Sequence, residues 1–235
     1  MKKRVYITLH GYKRPQWDDF HILRNKLDTN SEIVVFDYYD STNKELINKR
    51  LWWDNILNKI AEYKDYDVTL IGYSVGAVAA IAASAEFDNV DQVYAITPAV
   101  RTKMLSWVFK GIAFFPYYLP KKLINRIKLG KVEYGKYKKA MSRGASEKYP
   151  MAMTWEVHRF KMWLKKKFPM VQDKNIRIVY ANADGIIHVN KTSNYIKHKL
   201  IHNTIKVETL NVSHHLILEE ESPLYEDIKN FIKEN

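Results

Sequence analysis

Residues 67–86 read DVTLIGYSVGAVAAIAASAE and contain the clearest indication of the fold. It opens with Asp67–Gly72, whose apolar and β-branched residues predict a buried strand. A tight turn then leads into Gly76–Glu86, a run of small apolar residues that predicts a helix. A buried strand that passes directly into a helix is typical of a parallel sheet whose faces are covered by helices.

The same alternation of strand and helix extends to both sides of this stretch. Further strands are predicted at Lys3–Leu9, Glu32–Phe36, Asp91–Thr97, Asn175–Ala181 and Thr204–Leu210, and further helices at Pro15–Leu27, Thr42–Tyr63, Val189–Leu200 and Pro223–Lys233. Near-continuous apolar strands joined by right-handed helical crossovers build a doubly wound layer. We therefore predict an α/β fold with a mostly parallel sheet.

The composition of the 235 residues narrows the chemistry. The chain has no cysteine, which excludes disulfides, thiolate metal sites and cysteine nucleophiles. It has neither a histidine–glutamate zinc motif nor a phosphate-binding loop, so we expect no metal and no cofactor. The apolar run Val5–Leu9 is too short for the core of a signal peptide, and no run reaches the roughly 20 residues of a membrane span. We expect a soluble, cytoplasmic protein.

The net charge of +12 is concentrated in one block. Residues 101–170 contain 18 Lys or Arg and 3 Asp or Glu, together with 13 of the 31 aromatic residues. We predict a core formed by residues 1–100 and 171–235, with residues 101–170 inserted as a helical cap.

The cap could act as a lid over an acyl pocket, with the aromatic side chains of Trp107, Phe114 and Phe115 as candidates for its wall. Its charge could hold it weakly against an anionic membrane surface or steer anionic substrates. Alternatively, the block is a solvated insertion whose aromatic residues pack on the core. It contains no recognisable nucleic-acid module, so we expect no nucleic-acid partner.

The turn inside the opening stretch is a G-x-S-x-G motif, Gly72 to Gly76. Its position between a strand and a helix is the setting of a nucleophile elbow, in which Ser74 projects from the carboxyl edge of the sheet. Alternatively, Ser74 is the N-cap of an ordinary turn. For catalysis, we expect the backbone N–H groups of Val75 and Tyr12 to stabilise an oxyanion. His10, beside Tyr12, is expected to hold the loop backbone.

An acid and a base are predicted after the later strands. Asp184 follows the strand Asn175–Ala181, where its carboxylate can reach a shared crevice, although Asp-Gly is also a common turn. The last strand is followed by two adjacent histidines, His214 and His215. The residues themselves leave open which of the two faces Ser74.

Four segments in this order resemble the α/β-hydrolases, most of all the small bacterial carboxylesterases and monoacylglycerol lipases. The segments are Leu9-His10-Gly11-Tyr12, Gly72-Tyr73-Ser74-Val75-Gly76, Asp184-Gly185-Ile186-Ile187 and Ser213-His214-His215. The resemblance covers residues 3–98 and 175–235, with residues 101–170 in the place of that family's cap. It implies that His215 is the base, from an S-x-H context, and that Asp184 is the acid.

The expected function is hydrolysis of carboxylic esters with small or medium acyl chains, through Ser74, His215, Asp184 and an acyl-enzyme. Two alternatives remain open. One is a thioesterase or peptidase that uses the same triad. The other is a non-catalytic scaffold of the same fold that binds a hydrophobic or anionic partner through the cap.

Overall fold

The computed structural model describes residues 3–12, 20, 22–23, 32–39, 47–103, 151–212, 214, 216–218 and 222–233. Within these ranges, six strands form one parallel sheet: β1 (Arg4–Leu9), β2 (Glu32–Val35), β3 (Asp67–Tyr73), β4 (Val90–Ile96), β5 (Asn175–Ala181) and β6 (Thr204–Leu210). The helices are α1 (Lys49–Ala61), α2 (Val75–Ala83), α3 (Met151–Leu164), α4 (Val189–Lys199) and α5 (Leu224–Lys233), with 3-10 turns at Lys165–Met170 and Leu216–Leu218. The predicted α/β class and parallel sheet are confirmed.

The order of strands in the sheet places the site. The order is β2-β1-β3-β4-β5-β6, so the chain runs outward from β1 to β2 and then returns to the other side of β1. The strand order therefore reverses between β1 and β3. In open parallel sheets, ligands bind outside the carboxyl ends of the strands at such a reversal. Leu9 and Tyr73 end the two strands that flank it.

Both faces of the sheet are buried, which explains the near-continuous apolar strands. Along β3, Leu70 belongs to a core cluster shared with α1 to α4, while Ile71 belongs to a second cluster shared with α5. Alternate residues of a strand point to opposite faces, so every β3 position from Val68 to Tyr73 is buried. Helices on both faces make the sheet doubly wound, as predicted.

Helix α5 is attached to the sheet by a buried polar network as well as by apolar packing. Arg177 on β5 donates hydrogen bonds to Asp227 of α5, and the hydroxyl of Tyr94 on β4 donates to the same carboxylate. Arg177 also forms an ion pair with Glu208 on β6, at 2.9 Å. The hydrogen bonds and ion attraction outweigh the cost of burial and raise the pKa of Arg177, which stays charged.

Some element boundaries differ from the predictions. Strand β3 continues through Tyr73, because the Ser74 N–H still bonds the carbonyl oxygen of Ile96 on β4, at 2.9 Å. Helix α1 begins at Lys49, where the side chain of Asn48 accepts a hydrogen bond from the Arg50 N–H and caps the helix. Most of the helix predicted at 15–27 lies outside the described residues, but Phe20 and Leu23 are buried, as its apolar spacing predicts.

The division into core and cap stays a prediction, because residues 104–150 lie outside the described part of the chain. The last 20 residues of the predicted insertion are described, and Met153, Phe160, Leu164 and Phe168 among them join the core cluster that contains α2. Among the described helices, none is long and apolar enough to cross a membrane.

Candidate active site

Ser74 occupies a strained turn between β3 and α2. Its backbone angles, φ 54° and ψ −112°, lie in a region that residues other than glycine rarely adopt. Such a conformation costs on the order of 1–3 kcal/mol. The turn is held by two backbone hydrogen bonds, from the Ser74 N–H to the Ile96 oxygen at 2.9 Å and from the Ala99 N–H to the Ser74 oxygen at 3.0 Å. The predicted elbow is therefore present, with a half-buried serine at its tip.

The two glycines of the motif allow backbone segments to approach closely. A Cβ at Gly76 would lie 2.0 Å from the carbonyl oxygen of Leu9 and 2.4 Å from that of His10. A Cβ at Gly72 would lie 2.5 Å from the Cα of Ala77. Only glycine fits either position, so the motif seats the start of α2 against the end of β1.

The loop after β1 adjoins the serine and is held by tyrosines. A Cβ added to Gly11 would lie 3.3 Å from the Cβ of Ser74. The hydroxyl of Tyr38 donates to the His10 carbonyl oxygen at 3.0 Å, and that of Tyr39 donates to the Gly11 oxygen at 2.9 Å. These two hydrogen bonds hold the backbone carbonyl groups directly before Tyr12, whose N–H was predicted to donate to an oxyanion. The oxyanion roles of Tyr12 and Val75 stay predictions.

His10 supports the loop, as the sequence indicated. Its Nδ1 lies 2.8 Å from the carbonyl oxygen of Gly11, and its ring stacks on Tyr38 with centroids 4.2 Å apart. The ring of Tyr39 meets the same imidazole edge-on at 4.6 Å. No sequence pattern points to the two tyrosines, because they follow β2 and lie 28 residues along the chain from the backbone groups that they bond.

Asp184 and His214 form a buried pair. Asp184 is 1% exposed and His214 is 4% exposed, and the Nδ1 of His214 lies 2.7 Å from Oδ2 of Asp184. The other carboxylate oxygen accepts the backbone N–H groups of Ile186 at 2.8 Å and Ile187 at 2.7 Å. Asp184 therefore serves as both the turn residue and the acid partner of an imidazole, two roles that its Asp-Gly context had left open.

The environment of Asp184 keeps the carboxylate ionised. Burial alone raises its pKa, but the hydrogen bond from His214, the attraction to that ring and the two backbone N–H donors act in the opposite direction. Together they outweigh burial and lower the pKa of Asp184 below its ordinary value of 3.8. An ionised acid that accepts from Nδ1 leaves Nε2 of His214 as the ring atom able to accept a proton.

The histidine bonded to Asp184 is His214, whereas the family resemblance pointed to His215. His215 lies outside the described residues. The described contact with Asp184 thus belongs to the neighbour of the residue that the sequence favoured as the base, and the choice of base stays a proposal. Apart from the S-x-H context of the family resemblance, the two adjacent histidines carry no pattern that separates them.

Tyr73 joins the histidine to the elbow. Its hydroxyl donates to the backbone oxygen of His214 at 3.1 Å, and the two rings lie 5.3 Å apart. A Cβ on Gly11 would lie 2.7 Å from Cδ1 of the same Tyr73 ring. The residue preceding Ser74 thus contacts both the loop after β1 and the histidine segment after β6. The sequence itself assigned no role to Tyr73.

The candidate pocket residues Trp107, Phe114 and Phe115 lie outside the described residues. Across the described ranges, no group of three or more His, Asp or Glu side chains is arranged to hold a metal ion.

Comparison with known proteins finds similar solved structures. No protein-family model matches the chain, and no curated protein matches it significantly. A chain of the metagenome-derived lipolytic enzymes LipS and LipT superposes with a TM-score of 0.77 at 15% identity, covering 100% of this chain and 95% of the other. Paleococcus ferrophilus monoacylglycerol lipase gives 0.69 at 15% identity, with 100% and 96% covered.

A thioesterase domain from the curacin biosynthetic pathway is also similar, with a TM-score of 0.67 at 12% identity over 99% of this chain and 91% of that domain. At such low identity, the likeness establishes the fold and leaves the reaction to the site. Together with the parallel sheet, the strained serine turn and the strand order, these matches show that the chain has the fold of the α/β-hydrolase superfamily.

Proposed function

We propose that the protein is a serine hydrolase that cleaves carboxylic esters of small or medium acyl chains. The observation that carries the proposal is the buried Asp184–His214 pair, linked through Tyr73 to the strained turn of Ser74. A turn residue at position 184 would not need a buried imidazole partner, and an N-cap serine would not need a positive φ.

The proposed reaction begins with proton transfer from Ser74 Oγ to Nε2 of His214 as Oγ attacks the ester carbonyl carbon. Asp184 holds the ring through Nδ1 and stabilises the imidazolium that forms. The carbonyl oxygen becomes an oxyanion, and the backbone N–H groups of Tyr12 and Val75 are proposed to donate to it. The α2 N-terminus adds the positive end of a helix dipole at the same place.

Collapse of this intermediate breaks the bond to the alkoxy oxygen, which takes the proton from His214 and leaves as the alcohol. Water then gives one proton to His214 while its oxygen attacks the acyl carbon. Breakdown of the second intermediate returns the proton to Ser74 and releases the carboxylic acid. Atoms and protons balance, and the protein returns to its starting state.

The direct test is labelling with a fluorophosphonate probe, followed by mass spectrometry of the labelled peptide. We expect phosphonylation at Ser74 in the wild-type protein and none in Ser74→Ala, which should also lose turnover of p-nitrophenyl esters. Full ester turnover by Ser74→Ala would overturn the assignment. Absence of labelling and of turnover in the wild-type protein would favour the non-catalytic scaffold.

A thioester substrate is the second candidate, supported by the similarity to a thioesterase domain. The same three side chains can serve both reactions, since the acyl-enzyme is common and only the leaving atom differs. Side-by-side turnover of a p-nitrophenyl ester, an acyl thioester and a peptide anilide of equal acyl length would rank them. A ratio of kcat/KM that favours the oxygen ester is expected.

For residues 101–170, we propose a cap that covers the acyl pocket and makes weak contact with anionic membranes. The proposal is supported by the balance of +15 charges and by the aromatic content of this block. Binding to anionic vesicles should weaken as salt is raised, and vesicle binding that is absent at low salt would contradict it. A cytoplasmic location likewise stays a prediction of the sequence.

A further inference from the structure

Two lysines on the helical segment 151–170 are buried close to a third cation. Lys161 is 7% exposed and Lys165 is 6% exposed. The Nζ of Lys165 lies 4.6 Å from the centroid of the Tyr195 ring, and the guanidinium carbon of Arg101 lies 5.2 Å from the same centroid. The ring on α4 is therefore shared by two cations.

No carboxylate balances these charges within the described ranges. Within those ranges, no ion pair involves Arg101, Lys161 or Lys165. Among the described residues, the hydrogen-bond partners of Lys165 Nζ are the Val100 carbonyl oxygen at 3.5 Å and the Met162 sulfur at 3.9 Å. Glu156, on the same helix, instead pairs with Lys49 at 3.9 Å and Arg159 at 3.1 Å.

Burial without a carboxylate partner among the described residues has an electrostatic cost for these cations. Burial, followed by repulsion from Lys165 and Arg101, lowers the pKa of Lys161 to about 8. Burial and repulsion from Arg101 lower the pKa of Lys165 to about 8 as well. The neighbouring His158 has its pKa lowered to about 4 by burial and then by the two lysines. Buried ammonium groups are ordinarily paired, so this arrangement suits a bound anion.

The cluster adjoins the proposed active site. The backbone carbonyl oxygen of Ser74 accepts a hydrogen bond from the Ala99 N–H at 3.0 Å. The next residue, Val100, supplies the carbonyl oxygen that contacts Lys165 Nζ. At about 3.8 Å per residue, this path limits the distance between the ammonium and the Ser74 backbone to the order of 10 Å. On the other side, the Arg101 oxygen accepts the His188 N–H, four residues after Asp184.

We propose that Arg101, Lys161 and Lys165 bind an oxyanion, a carboxylate or phosphate group, that the ester substrate carries away from its scissile bond. The planar guanidinium can bond two oxygens of such a group, and each ammonium provides a further donor. The substrate part of the inference rests on the proposed hydrolase function, whereas anion binding by the cluster does not.

Anion binding can be tested without catalysis by titrating inorganic phosphate and measuring the midpoint of thermal unfolding, Tm, in a buffer free of other oxyanions. We expect a saturable rise of Tm in the wild-type protein, because a ligand that binds only the folded state stabilises it. Lys161→Met should abolish the rise. Lys64→Met, at an exposed lysine, is the matched control and should retain it.

The same variants separate an anion site from an internal ion pair. If Lys161 is uncompensated, replacing it with Met should raise Tm without phosphate, since a buried charge is removed. A lowered Tm in Lys161→Met, or an equal phosphate effect in wild type and variant, would overturn the inference. Arg101→Gln, a change at an exposed side chain, gives a second variant in which the phosphate response should weaken.

The substrate part is tested with two p-nitrophenyl esters of equal length, the neutral hexanoate and the anionic adipate hemiester. We expect the adipate-to-hexanoate ratio of kcat/KM to fall about tenfold in Lys161→Met and to stay unchanged in Lys64→Met. An unchanged ratio together with lost phosphate binding would mean that the site takes a free anion, and would refute the substrate part. If the wild type hydrolyses neither ester, the hydrolase proposal fails while the phosphate titration still decides the anion site.

Discussion

The phenolic hydroxyl of Tyr73 donates a hydrogen bond to the backbone carbonyl oxygen of His214 at 3.1 Å, across 141 residues of sequence. The donor immediately precedes Ser74, and the acceptor belongs to the residue whose ring bonds Asp184. One side chain thus sets the distance between the serine turn and the histidine segment. A tyrosine is long enough to make this contact from the position before the serine.

We expect Tyr73→Phe to lower kcat about threefold to tenfold while KM for a short ester changes little. The substitution keeps the ring contact with His214 at 5.3 Å and removes only the hydroxyl donor, and a hydrogen bond of this kind contributes about 1 kcal/mol. Steady-state kinetics on p-nitrophenyl esters would measure both constants. Unchanged kcat with a lower unfolding free energy would show a merely structural role.

The choice between the two histidines is decided by paired alanine variants. We expect His214→Ala to reduce kcat by several orders of magnitude, because the Asp184-bonded imidazole is lost, and His215→Ala to retain most turnover. Both proteins should be compared by circular dichroism to confirm folding. Loss of turnover in His215→Ala alone would restore the base to the position that the family resemblance favoured.

Asp184→Asn should reduce kcat by about four orders of magnitude, the size of effect seen when a triad acid can no longer hold the correct imidazole tautomer. It should also change the acid stability of the protein. Because the folded-state pKa of Asp184 is lower than 3.8, its ionised form stabilises the wild type above about pH 4, and this contribution is lost as the pH falls further.

Urea unfolding of wild type and Asp184→Asn between pH 3 and pH 6 would measure that contribution. We expect the difference in unfolding free energy between the two proteins to shrink toward low pH. A difference that is constant over this range would contradict the lowered pKa.

The buried lysines give a prediction on the alkaline side. The pKa of Lys161 is about 8 in the folded protein against an ordinary value of 10.5. Between pH 8 and pH 10.5, the unfolded chain therefore binds more protons at this lysine than the folded protein does. The stability of the wild type should therefore rise as the pH increases from about 8 toward 9.5, and Lys161→Met should show a smaller rise. Thermal unfolding in oxyanion-free buffers would detect this, and equal slopes in the two proteins would exclude it.

Two glycine-to-alanine variants test the packing of the elbow. Gly76→Ala would place a Cβ 2.0 Å from the Leu9 oxygen, and we expect a loss of about 2 kcal/mol or more of unfolding free energy. Gly185→Ala is the matched control, because a Cβ there meets nothing within 4 Å, and it should change stability by less than about 0.5 kcal/mol. Similar stabilities of the two variants would contradict the close contact of α2 with β1.

Local sequence patterns were enough to predict the parallel sheet, the tight turn at Ser74 and the place of Asp184 after β5. Near-continuous apolar strands indicate that both faces of the sheet are buried. The two glycines of G-x-S-x-G indicate a tight turn in which backbone segments approach closely. Asp184 is predicted near the carboxyl edge because it follows the strand pattern Asn175–Ala181. The core and cap boundaries and the oxyanion donors remain predictions that the described residues do not test.

Contacts between distant segments of the chain became known only from the folded structure. No sequence pattern predicts that Asp184 bonds His214. None predicts that the hydroxyls of Tyr38 and Tyr39 bond the loop after β1. The burial of Lys161 is likewise invisible in a chain rich in surface lysines. The physical reason is that hydrogen bonding, burial and charge compensation depend on distances between atoms far apart in sequence, which only the folded chain fixes.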